Sequence, residues 1–328
     1  MRDHGGNLDW AMAEYGRTGG QGEWVDLSTG INRVPYPVGT LPPAAYTDLP
    51  TGASMAALLA VARQSYGMTG GGIAALAGAQ AAIQMLPMLL DGPRKARVLS
   101  PTYNEHAACL RQAGWQVEEV RHLRDLEGAR LAVVVNPNNP DGQCHSPEVL
   151  MALRGRVGTL VVDESFADPR PDLSLAGQVG EEDLFVLRSF GKFYGLAGLR
   201  LGFALGAEAR IARLREMAGP WPVCGAGLAI GTRALADRDW QSTTIARLVQ
   251  DMARMDALAA QAGWDLVGGT ELFRLYATPD AVRAQSRLAR AHIWSRIFPW
   301  HPRWIRLGLP GNETEWARLA HALTGKAE

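Results

Sequence analysis

The chain has 328 residues, 47% hydrophobic and 20% charged, an ordinary globular balance with room for more than one lobe. Lysine plus arginine and aspartate plus glutamate are equal at 33 each, so net charge points to neither a nucleic acid nor a membrane surface as partner. Three scattered cysteines, Cys109, Cys144 and Cys224, form no C-x-x-C pair; they support neither a disulfide framework nor a zinc site and fit a reducing, cytoplasmic setting.

In chain order, "MRDHGGNLDW" lacks the apolar core of a signal peptide. Residues 1 to about 50 are rich in glycine, proline and turns and read as an extended arm. "MAALLAVARQSYG" is a helix closed by Gly67. "GGIAALAGAQAAIQMLPMLL" is broken by Gln80, Gln84 and Pro87, so it suits a buried helix, beginning near Gly78, better than a membrane span. "ARVLSPTY" is a strand, "NEHAACLRQAG" a helix and "WQVEEVR" a strand. "ARLAVVVNPNNPDG" is an apolar strand running into a turn, and "PEVLMALRGRVG" is a helix. "TLVVDESF" and "DLFVLRSFGK" are strands. Strands apolar on both faces, alternating with helices, indicate a parallel sheet covered on both sides. A long helix, "DWQSTTIARLVQDMARMDALAAQAG", leads into a small α/β lobe containing "WDLVGGTELFRLYAT", "AVRAQSRLARAHIW" and "RWIRLGL". The expected organisation is an arm over 1–50, a large domain over 51–225 and a small domain over 226–328.

Polar residues stand just past the strand ends, where open α/β sheets bind ligands: Tyr103, Asn139, Asp163 and Ser189. Lys192 follows in "SFGKFYGLAGLRLGF". Its apolar flanks would desolvate the amine and favour the neutral nucleophile; a solvated loop lysine is the plainer reading. Ser189 and Arg200 bracket it as a phosphate cradle. Asp163 ends "TLVVD", where a carboxylate either pairs with a protonated ring nitrogen or caps the next segment. Alternation turns Glu164 to the other face. Asn139, in "NPNNPDG", lies in a turn on any reading, and an amide there can reach a phenolic oxygen. Tyr103 reads equally as a ring-stacking residue and as a half-buried strand-end tyrosine. In "AGAQAAI" the backbone N–H groups of Gly78, Ala79 and Gln80 can receive a phosphate. Together these groups fit one cofactor, pyridoxal 5'-phosphate, which needs a lysine for its covalent link, an acid at its ring nitrogen, and donors for its phenolate and phosphate.

Over nearly its whole length the chain resembles the fold-type I pyridoxal-phosphate enzymes of the class I/II aminotransferase superfamily, through "AGAQ", "PTY", "NPNNPDG", "VVDES", "SFGK", "GLRLG" and "WIRLG" in that order. The resemblance implies an α/β fold, with a large domain around a mostly parallel sheet and a small C-terminal α/β domain. It implies that Lys192 carries the cofactor, Asp163 meets the pyridine nitrogen, Asn139 meets the phenolate oxygen and Tyr103 stacks on the ring. Ser189, Arg200 and the amides of Ala79 and Gln80 would hold the phosphate. Tyr46, in "AYTD", would reach that phosphate from the neighbouring subunit of a homodimer. Arg306, in "RWIRLGL", would grip the substrate α-carboxylate.

Phe166, in "DESF", stands where many of these aminotransferases carry a tyrosine donating to the phenolate, so the resemblance to a standard transaminase is incomplete there. "DHGGN" and "DLSTGIN" resemble the N-terminal arm of L-threonine-O-3-phosphate decarboxylases. Those enzymes serve cobalamin biosynthesis and make (R)-1-amino-2-propanol O-2-phosphate. This resemblance implies that His4 and the amides of Gly5 and Gly6 approach the substrate phosphate and that Asn32 lies near its carboxylate. Arg296, in "IWSRIF", would be a second substrate arginine, for the phosphate. Read by itself, His4 is a disordered chain-start residue. The alternatives are a histidinol-phosphate aminotransferase, which shares the fold and a phosphate-bearing substrate, and a non-catalytic cofactor-binding regulator. No metal, nucleic acid or membrane partner is expected.

Overall fold

Short aliphatic and β-branched runs bounded by glycine, proline or asparagine make the strands. The computed structural model describes residues 4–16, 22–90, 92–180 and 183–325. The chain divides into a smaller unit, Met1–Pro35, Pro140–Gly142 and Gln241–Glu328, and a larger one, Tyr36–Asn139 and Gln143–Trp240. A short strand, β1 (Val25–Asp26), belongs to the smaller unit. The larger unit holds β2 (Gly72–Leu76), β3 (Lys95–Leu99), β4 (Gln116–Val120) and β5 (Leu131–Val135). It continues with β6 (Leu160–Asp163), β7 (Leu184–Ser189) and β8 (Gly202–Gly206).

These strands form one sheet in the order β2-β8-β7-β6-β5-β3-β4. From β4 to β7 neighbours run parallel, whereas β8 is antiparallel to both β7 and β2. The sheet is therefore mostly parallel. β2, β5, β6 and β8 are buried at every position, as strands covered on both faces must be. Helix Ala79–Leu89 turns Ile83, Leu86 and Leu89 into a core shared with Val98, Val133, Val161 and Leu187. Each such side chain contributes about 1.5–3 kcal/mol on burial.

Two local expectations need correction. The helix expected from near Gly78 is Ala79–Leu89, but the apolar residues before it, for which no strand was expected, form the strand Gly72–Leu76. Periodicity cannot separate a buried strand from a buried helix segment; the antiparallel pairing of Ile73–Leu76 with β8 decides it. The segment read as an extended arm contains the helix Leu8–Tyr15, whose first turn is capped by Asn7 accepting from the Trp10 N–H.

In the smaller unit β9 (Asp265–Thr270), β10 (Phe273–Ala277), β12 (Arg296–Phe298) and β13 (His301–Gly308) form an antiparallel sheet in the order β12-β13-β10-β9. β11 (Ile293–Trp294) pairs in parallel with β1. Beyond that pair, the Leu27 N–H donates to the Trp294 carbonyl and the Leu27 carbonyl accepts from the Gly308 N–H. A Cβ on Gly308 would stand 2.5 Å from the Thr29 carbonyl oxygen, so this approach needs glycine. Among the described residues no helix is long and apolar enough to cross a membrane.

Candidate active site

The carboxyl ends of β3, β5, β6 and β7 and the start of helix Ala79–Leu89 surround a recess of about 730 Å³, part of it open to solvent. Nine of the candidate site residues line it, together with Phe166. Gly78, Ala79 and Gln80 come from the helix start, Tyr103 and Asn139 from loops, Asp163 and Ser189 from strand ends, and Lys192 and Arg200 from the segment beyond β7. Tyr46 does not line the recess and is 71% exposed.

Asp163 is buried at the end of β6. Its Oδ2 accepts from His106 Nε2 at 2.8 Å, and its Oδ1 accepts from the Ser165 N–H at 3.0 Å and the Ser165 hydroxyl at 2.5 Å. Burial alone would push the carboxyl up. The His106 and Ser165 hydrogen bonds outweigh it and hold Asp163 below its ordinary value. The group is thus an anion in an apolar wall, fit to pair with a cationic ring nitrogen. Glu164 faces the other side, where it meets Arg188 at 2.8 Å, and Arg188 also meets Asp168 at 2.7 Å.

The helix Ala79–Leu89 has no side-chain cap at Gly78, and Gly78, Ala79 and Gln80 line the recess. The Gly78 N–H itself donates to the Leu76 carbonyl at 2.7 Å, which leaves the amides of Ala79 and Gln80 as the candidates for an anion. Gly78 has φ +84°, and a Cβ there would lie 2.6 Å from Arg200 Nη2. Arg200 adopts a left-handed conformation and is steadied by a 3.1 Å hydrogen bond from Nη1 to the Ala197 carbonyl. A Cβ on Gly202 would collide with the Ala79 nitrogen, so this glycine lets β8 lie against the helix start. The helix start, the Arg200 guanidinium and Ser189 line the recess together, a set of donors of the kind that suits an anion.

The loop after β5 uses its asparagines unequally. Asn136 exchanges hydrogen bonds with the His145 backbone, and Asn138 bonds the Pro101 carbonyl and Thr102 hydroxyl. These bonds pin the loop, and Asn139 lines the recess. Tyr103 is half-buried; its hydroxyl donates to Gln80 Oε1 at 3.2 Å, and its ring meets His106 edge-on. Burial first, then nearby carboxylates, push its phenol well above the usual range, so it remains a neutral ring. Lys192, also half-buried, has Nζ 5.7 Å from the centre of the Phe166 ring.

In the smaller unit β12 and β13 set Arg296 directly opposite Arg306. Arg306 is buried, and its Nη2 donates to the Ser28 carbonyl at 2.7 Å. Burial first and the Arg296 charge second push it down to about 9, with Asp26 acting the other way. Like charges opposite each other are unfavourable, and a bound anion would turn both into partners. The Gly6 N–H donates to the Ser28 hydroxyl oxygen at 2.7 Å, while Ser28 donates to Asp26 through its hydroxyl at 2.6 Å and its N–H at 2.8 Å. A Cβ on Gly5 would collide with the same Ser28 carbonyl that Arg306 holds. Ser28 thus joins Gly5 and Gly6 to Arg306. His4, beside them in the chain, is exposed. Asn32 is buried and held separately, by Arg247 and the Val34 N–H.

A family model described as aminotransferase class I and II matches residues 61–323. The chain belongs to the aminotransferase class I and II family. Within it, the chain is 40% identical over 326 residues to a threonine-phosphate decarboxylase from Sinorhizobium sp, covering 98% of this chain and 97% of the relative. It is 42% identical over 335 residues to a threonine-phosphate decarboxylase from Pseudomonas aeruginosa, covering 100% and 99%. In fold it is similar to a histidinol-phosphate aminotransferase from Sinorhizobium meliloti solved in complex with pyridoxal-5'-phosphate, with TM-score 0.82, 20% identity, and 97% and 93% of the two chains covered. For this member of the aminotransferase class I and II family, sequence reading missed His106, Ser165, Ser28 and Arg247. His106 carried a faint signal: it lies three residues after Tyr103, in the first turn of the helix Glu105–Gln112. Ser28 and Arg247 carried none, because their partners are remote in sequence.

Proposed function

We propose that the protein is a pyridoxal-phosphate-dependent L-threonine-O-3-phosphate decarboxylase, a cytoplasmic homodimer that makes (R)-1-amino-2-propanol O-2-phosphate for cobalamin biosynthesis. The observation that carries the proposal is the likeness to threonine-phosphate decarboxylases over nearly the full chain. The recess supports it, because its groups fit the cofactor end by end. A Cβ at Gly78 would meet Arg200 Nη2, so glycine there lets the guanidinium lie against the helix start, which supports a phosphate site at that point. Ser189, Arg200 and the amides of Ala79 and Gln80 would hold that phosphate, Asn139 the phenolate oxygen, and Lys192 the covalent link. Tyr103 would stack on the ring, and the partner's Tyr46 would complete the phosphate site.

When bound, the cofactor supplies a sink for the electron pair left on Cα as CO2 departs. Asp163, held below its ordinary value, would accept a hydrogen bond from the protonated ring nitrogen and so favour keeping the proton on that nitrogen. Arg306 and Asn32 would bind the α-carboxylate. Arg296, His4 and the amides of Gly5 and Gly6 would bind the substrate phosphate. Phosphate anchoring far from Cα would set which Cα bond is poised to break, so remote binding energy acts at the reacting centre. Phe166 leaves the phenolate side without a hydroxyl donor from that position.

The test is product analysis of the holoenzyme with L-threonine O-3-phosphate and, separately, with histidinol phosphate plus a keto-acid acceptor. One CO2 and one aminopropanol phosphate per threonine phosphate, with little keto product from histidinol phosphate, is the expected result. Stoichiometric keto product without CO2 would overturn it in favour of a histidinol-phosphate aminotransferase.

A further inference from the structure

Asn32 is only 4% exposed, and the oxygen of its side-chain amide is doubly occupied. Oδ1 accepts from Arg247 Nη2 at 2.7 Å and from the Val34 N–H at 3.0 Å. An amide oxygen has two lone pairs, so its capacity is used. Arg247 is itself fixed: Nη1 donates to Asp251 Oδ2 at 2.5 Å, one turn along the helix Arg238–Gln261. Were the amide to flip, its NH2 would face two donors and both hydrogen bonds would be lost. The chain Asp251–Arg247–Asn32 therefore sets the polarity of a buried side chain. Any ligand contact Asn32 makes is made by donation from Nδ2.

We propose that Arg247 is a positioning residue that locks Asn32 as a hydrogen-bond donor to a ligand carboxylate. The proposal rests on the decarboxylase reading, which brings a carboxylate to Asn32. A carboxylate only accepts hydrogen bonds, so an amide free to flip would present it with a repelling oxygen part of the time. Arg247 acts through Asn32 rather than on the ligand. Its contribution is therefore selective for ligands that carry the carboxylate.

The test uses the cofactor-loaded Lys192→Ala protein, in which turnover does not obscure binding. Calorimetry compares L-threonine O-3-phosphate with 1-amino-2-propanol O-2-phosphate, which lacks the carboxylate. Arg247→Met is expected to weaken the first ligand about tenfold and the second less than about twofold. Arg247→Lys, which keeps a donor, should retain most of the selectivity. Asn32→Asp is the sharper variant: it keeps an oxygen for Arg247 and Val34 but removes the Nδ2 donor. It should lose threonine phosphate binding by about tenfold or more and the carboxylate-free ligand by less than about twofold, so that a general loss of folding would be seen as equal losses. Equal losses for both ligands in Arg247→Met, or unimpaired threonine phosphate binding in Asn32→Asp, would overturn the proposal. Selective loss in a protein whose wild type releases no CO2 would leave the Arg247 assignment standing and remove the decarboxylase. Normal CO2 release without selective loss would do the reverse.

Discussion

His106 is the main group that lowers the Asp163 carboxyl against burial, with Ser165 second, and this yields a pH prediction. The folded carboxyl lies below its ordinary value because hydrogen bonds from His106 and Ser165 outweigh burial. Its stabilising contribution is present above the unfolded carboxylate range and is lost as pH falls through the folded value. In His106→Ala burial prevails, and the carboxyl moves up. A charge-assisted hydrogen bond is worth about 1.5–3 kcal/mol, so the acid limb of kcat/KM should shift to higher pH by about one to two units. The pH–rate profile of the two proteins, with cofactor saturating, checks it; an unmoved acid limb would detach His106 from the ring-nitrogen acid. At this scale the sequence singled out Asp163 as a candidate, because it closes an apolar strand, but local pattern left a capping role open as well. It could not identify the donor that keeps the acid ionised, because His106 lies 57 residues away along the chain.

Two elements carry predictions of their own. The start of helix Ala79–Leu89 depends on Gly78, at φ +84° and with Arg200 Nη2 where a Cβ would sit. Gly78→Ala should cost about 1–2 kcal/mol of backbone strain and displace Arg200. The expected readout is cofactor affinity lowered about tenfold, by titration of the apoprotein. The β12–β13 hairpin faces Arg296 with Arg306. Arg296→Ala should lower kcat/KM for threonine phosphate far more than for threonine, by about 1.5–3 kcal/mol. Arg306→Ala should lower both, since both substrates carry the α-carboxylate. Because like charges opposite each other destabilise, ligand-free Arg296→Met should melt no lower than wild type. Equal losses for the two substrates in Arg296→Ala would remove Arg296 from the phosphate site.

The whole molecule, on the proposed homodimer, has sites shared between copies. Tyr46 is 71% exposed in the single chain and stands clear of the recess. Lys192→Ala and Tyr46→Ala proteins should each be impaired, yet mixing them after gentle dissociation should restore activity. Half of the randomly paired dimers would be hybrids with one intact site in two, so recovery should approach about a quarter of wild-type activity. No recovery, with hybrids shown to form, would place Tyr46 outside a shared site. The sequence by itself determined the order of chemical groups along the chain and their placement at strand ends. It did so because apolar strand cores, turn-forming asparagines and glycines, and a lysine between apolar flanks are all local patterns. It also determined that most strands are buried on both faces, which made a mostly parallel sheet legible. Only the tertiary structure decided that Gly72–Leu76 is a strand, because its partner β8 lies more than a hundred residues on. It alone brought His106 to Asp163, Ser28 to Arg306 and Arg247 to Asn32. Those pairings lower the Asp163 carboxyl, hold the Arg306 guanidinium and orient the Asn32 amide. They are made through space, by hydrogen bonds between residues up to 278 positions apart. No local pattern of residues encodes them.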